Sequence, residues 1–89
     1  MDLKDTVNTM CSNDYKERFV AEYCQTKIRY ERLKAMNTKR KAGVLTFEPI
    51  CSDELLRQQQ SLMGQLLEVL EIRALREQIT LPELELVIK

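Results

Sequence analysis

Histidine and tryptophan are absent from this chain of 89 residues, and glycine and proline occur only twice each. Without histidine no side chain titrates near neutral pH in its unperturbed state, which removes the usual general base. No serine or cysteine stands in a recognisable nucleophile motif. Gly43 and Gly64 are isolated, so a phosphate-cradling loop is excluded. With so few glycines and prolines there are few breaks for a many-stranded fold, and the expected class is all-α.

Net charge is missing too. Fourteen basic and fourteen acidic side chains give formal neutrality, so no overall field draws the chain to nucleic acid or to an anionic membrane. Cysteine is scarce and odd in number: Cys11, Cys24 and Cys51 lie far apart, which suits reduced thiols and is too few for a structural zinc site. Met1 is followed by charges, and no apolar run is long enough for a signal peptide or a transmembrane helix. The expectation is a soluble intracellular protein with no catalytic residue, metal or cofactor.

What the chain does have is helical periodicity. A short helix is expected over 3–10, from Leu3, Val7 and Met10. Asp14 begins a long helix over 14–37, with Glu17 three residues on in a capping-box spacing. The connector is expected over 38–51, with Val44, Leu45, Phe47 and Ile50 folding over the hairpin end. Ser52 or Asp53 caps a second long helix over 53–78, and a short C-terminal element, set off by Pro82, is expected at 80–89. One domain, 1–89, is expected as an antiparallel helical hairpin with small terminal elements.

The first long helix has two apolar stripes. At about 100° per residue, Tyr15, Phe19, Tyr23, Tyr30 and Leu33 fall on one side, and Val20, Ala21, Cys24, Ile28 and Ala35 on another. A hairpin partner covers one stripe. Another copy of the chain is the simplest cover for the second, so a helical homo-oligomer is expected, with Tyr15, Phe19 and Leu33 at the interface.

Tyr23, Lys27, Tyr30 and Lys34 lie within about 60° of one another, and Lys16 is two turns before Tyr23 on the same side. Tyrosine offers a π-face to a base and lysine a charge to a phosphate, the pair of interactions used by nucleotide-binding surfaces. Lys16, Tyr23, Lys27 and Tyr30 are therefore the candidate ligand-binding residues. Interface tyrosines flanked by snorkelling lysines would give the same pattern. Arg18, Arg29 and Arg32, with Glu22 and Gln25, read as a solvated face.

The stretch Asn13 to Phe19, with Ala21-Glu22-Tyr23 and Lys27-Ile28-Arg29-Tyr30, resembles a family of small uncharacterised tailed-phage proteins related to a crAss-like phage product. Cys51, Leu55-Leu56, Gln59, Met63, Leu66-Leu67, Leu70-Glu71 and Arg73-Ala74 look like that family's second helix. The resemblance implies a phage or prophage origin and brings no established binding residues. Small phage proteins of this size commonly act in the host cytoplasm against defence systems, and the compact helical sponges that trap cyclic nucleotide messengers offer an analogy of size and architecture. The expected function is a counter-defence protein that sequesters a cyclic oligonucleotide or a cyclic ADP-ribose type of messenger between subunits. The alternatives are an inhibitor or adaptor that binds a host defence protein through a helix face, and a small virion-assembly factor.

Overall fold

The computed structural model describes residues 1–82; the expected C-terminal element lies outside the described residues from position 83 onward. A 3₁₀ turn, Leu3–Thr6, leads into the one-turn helix α1, Val7–Met10, followed by the long helices α2, Tyr15–Lys41, and α3, Asp53–Glu77. Among the described residues there is no strand. Cross-contacts from Tyr15 to Glu77, Tyr23 to Glu71 and Asn37 to Leu56 run in opposite order along the two long helices. They form an antiparallel hairpin.

Local chemistry sets the helix ends. The Asp14 carboxylate accepts from the Lys16 amide at 2.9 Å, and the Asp14 N–H donates to Ser12 Oγ at 3.0 Å. Ser12 thus takes the place that Glu17 would hold in a capping box. Ser52 Oγ accepts from the Leu55 amide and starts α3.

Helix α2 runs four residues beyond the expected end at Asn37. Lysine and arginine are good helix formers and complement the C-terminal dipole, and the stop comes only at Gly43, whose φ of 76° closes a Schellman turn. Gly43 N–H donates to Arg40 O, and Val44 N–H to Lys39 O. The connector does not fold over the hairpin end as expected: Val44, Phe47 and Ile50 are exposed.

A second Schellman turn ends α3. Gln78 takes a left-handed conformation, and the Ile79 N–H donates to Ala74 O at 2.8 Å. Continued helical periodicity would carry Ile79 to the outer side with Ile72 and Leu75. The turn instead folds Ile79 back into the core with Phe19, Tyr23, Cys24, Leu67, Leu70 and Ala74, and Val20, Tyr30 and Leu81 pack around that cluster.

The second stripe of α2 does not wait for another subunit. The N-terminal arm packs on α2, where Arg18, Gln25 and Arg32, spaced by seven, hold it. Arg18 donates to Ser12 O, Gln25 donates to Thr6 Oγ1 at 2.8 Å, and Arg32 pairs with Asp2 at 2.7 Å. Ala21 and Ile28 share this face and are fully buried, as is Thr6. Of the group expected on a solvated face, Arg18, Gln25 and Arg32 clamp the arm, whose carbonyl, hydroxyl and carboxylate give their donors partners, while Glu22 and Arg29 are exposed.

Candidate functional site

Where α2 and α3 approach the connector, the hairpin leaves an open groove of about 410 Å³, within the size range of small-molecule sites. Helix α2 contributes Tyr30, Asn37, Thr38 and Lys41; α3 contributes Arg57, Gln60, Ser61 and Gly64. Two cations and no acid line it. Arg57 shares its charge with Asp53 at 3.0 Å, while Lys41 makes no ion pair among the described residues.

Close helix approach makes the groove. A Cβ added to Gly64 would meet Tyr30 Cε1 at 3.3 Å, so glycine is what lets the ring lie against α3. Deeper in, Asn37 is 4% exposed, and its Nδ2 donates to Gln60 Oε1 at 2.9 Å and more weakly to Leu56 O at 3.4 Å. Asn37 Oδ1 is buried without a partner. An orphaned acceptor in a groove wall leaves a desolvation cost that a donor could relieve.

Tyr30 is also the centre of the lysine row. Lys27 and Lys34 stand 5.8 and 6.0 Å from its ring centroid, distances of cation–π contact. Lys27 is further tied to Glu31 at 3.1 Å. Lys27, Lys34 and Lys41 recur every seven residues, about 10.5 Å apart, along one edge of the helix.

Of the four residues expected to bind ligand, the structure brings together Lys27 and Tyr30. Tyr23 is buried in the hairpin core, its hydroxyl donating to Glu71 Oε2 at 2.8 Å; burial first, and then this bond to a carboxylate, push its pKa up to about 12. Lys16 is exposed and lies about 21 Å along the helix from Tyr30. Of the residues expected at a subunit interface, Tyr15 and Phe19 contact the facing helix of their own chain. Phe19 is buried in the core under the Arg73 guanidinium, 4.9 Å from its ring. Tyr15 donates to Glu77 and accepts from Arg73, and Leu33 is half-buried.

Sequence reasoning passed over Asn37, Lys41, Arg57 and Gln60. Asn37 and Lys41 carry a usable signal: each lies seven residues after a member of the tyrosine and lysine row, Tyr30 or Lys34, and so shares its face. Arg57 and Gln60 carry none, because only the docking of α3 brings them to that face. Among the described residues, no cluster of His, Cys, Asp or Glu could hold a metal ion, and no helix is long and apolar enough to cross a membrane.

Fold and groove together define a small helical hairpin protein with a cationic, amide-lined cleft between its two long helices. The chain belongs to the Sequestin family, whose model matches residues 13–76. The match takes in α2, the connector and α3 up to its penultimate residue, and so every residue lining the groove. No curated protein and no solved structure shows significant similarity to the chain.

Proposed function

We propose that this protein is a non-catalytic, phage-encoded counter-defence factor that works in the host cytoplasm by sequestering a nucleotide-type immune messenger, of the cyclic oligonucleotide or cyclic ADP-ribose class. The family name denotes sequestering, and the observation that carries the ligand class is the groove itself. It has an aromatic face at Tyr30, cations at Lys41 and Arg57, amides at Asn37 and Gln60, and no carboxylate. A base or ribose stacks on Tyr30 while phosphate oxygens take charge-assisted bonds from Lys41 and Arg57. The ligand sits within one hairpin, not between subunits.

A panel of cyclic dinucleotides, cyclic trinucleotides and cyclic ADP-ribose isomers, read by thermal shift and calorimetry, tests this. A true ligand raises the melting temperature because it binds only the folded chain. Lys41→Ala and Arg57→Ala each then weaken binding by about tenfold or more, from contacts worth roughly 1.5–3 kcal/mol. Lys16→Ala leaves it unchanged. Flat shifts across the panel would refute the reading and favour the second one, an inhibitor or adaptor for a host defence protein, which draws on the exposed apolar side chains of α3.

A further inference from the structure

Leu55, Leu62, Leu66 and Val69 on α3 remain between 43% and 57% exposed. Their spacings of seven, four and three residues are those of a coiled-coil seam. The strip lies about 100° round the helix from Leu67, Leu70 and Ala74, which face the core, and roughly opposite the groove residues Arg57, Gln60 and Gly64. Half-exposed leucines in a continuous row are the kind of patch that monomers seldom leave open.

We propose that this strip is the seam of a homodimer in which two α3 helices pack antiparallel, centred between Leu62 and Leu66. In that register Leu62 lies over the partner's Leu66 and the reverse, Val69 lies over the partner's Gln59, and Leu55 packs on the aliphatic stem of the partner's Arg73. Charge selects both the occupant and its direction. Glu54 stands in the first turn of α3 and Arg76 in the last, on the same flank of the strip, and neither makes an ion pair within the described residues. Antiparallel pairing sets Glu54 beside the partner's Arg76 at both ends, whereas parallel pairing leaves the two about 33 Å apart along the helix axis. The groove faces away from the seam, so each dimer carries two open grooves. This inference goes beyond the ligand reading and stands or falls apart from it.

Light scattering at about 50 µM should give twice the chain mass of 10.5 kDa. Leu66→Glu should give the single-chain mass with unchanged helical circular dichroism, while Leu75→Glu, on an 83% exposed side chain off the strip, stays dimeric. Arg76→Glu should raise the dimer dissociation constant on the order of fivefold through two lost rim pairs, and adding Glu54→Arg should restore it. A monomeric wild type, or a dimer that survives Leu66→Glu, overturns the seam. Failure of the double variant to recover overturns the antiparallel register, and this comparison remains decisive if Leu66→Glu does not fold. Ligand binding by the Leu66→Glu monomer should match wild type, since the groove is complete in one chain.

Discussion

The Tyr30 ring lies against Gly64 of the facing helix so closely that a methyl group there would meet Tyr30 Cε1 at 3.3 Å. That contact joins the core to the groove, because the ring packs against the core cluster and is also a wall of the groove. Two effects oppose each other in Gly64→Ala. Alanine gains about 1 kcal/mol of helix propensity, and the ring must yield by a few tenths of an ångström. The expected outcome is a chemical-denaturation stability within about 1 kcal/mol of wild type, with weakened binding of any groove ligand. A bulkier Gly64→Leu should lose both stability and binding. Unaltered binding in Gly64→Leu would remove Tyr30 from the site.

Burial and the bond to Glu71 push the pKa of the Tyr23 hydroxyl up to about 12, above the ordinary tyrosine value of about 10. The raised folded value means that its stabilisation is complete below pH 10 and is lost as pH rises from about 10 toward 12. The Tyr15 hydroxyl, bonded to Glu77, is raised as well, so ultraviolet titration should show a latest tyrosine phase that Tyr23→Phe removes, and urea unfolding should show an alkaline loss of stability that is smaller in that variant. A Tyr23→Phe protein with the wild-type alkaline slope would assign the loss to another group.

The clamp on the arm separates packing from polar contacts. Ile28 is completely buried on the arm-facing side of α2, and Ile28→Ala should cost about 2–5 kcal/mol. Arg32→Ala breaks only an exposed pair with Asp2 and should loosen the arm with little change in the unfolding midpoint. Proteolysis near residues 1–10 reads the loosening directly. Removal of the whole arm should increase binding of a hydrophobic dye, through the uncovered Ala21 and Ile28.

Thiol labelling checks the face assignments of the first long helix. Cys24 is buried, with its pKa raised by burial, while Cys11 and Cys51 are exposed. Two thiols per chain should react promptly with a maleimide and the third only at the rate of opening or unfolding. Three equal fast rates would contradict the described packing of α2 against Ile79 and its neighbours.

Much of the local architecture was legible in the sequence because its causes are local. Ser12 to Asp14 and Ser52 carry the side-chain oxygens that start helices, and Gly43 supplies the left-handed residue that stops one. The 3.6-residue period assigns Phe19, Tyr23 and Cys24 to apolar faces without reference to any partner. Periodicity says which residues share a face and nothing about what covers it. The chain therefore could not reveal that its own N-terminal arm, pinned by Arg18, Gln25 and Arg32, covers the second stripe at Ala21 and Ile28 while Val20 and Cys24 join the hairpin core. Nor could it reveal that the left-handed turn at Gln78, a residue with no special preference for it, brings Ile79 home. The groove has the same character. Tyr30, Asn37 and Lys41 share a face by spacing alone, but Arg57 and Gln60 join them only through the register in which Gly64 lets α3 close on Tyr30, and that register is a property of two surfaces meeting rather than of either sequence segment.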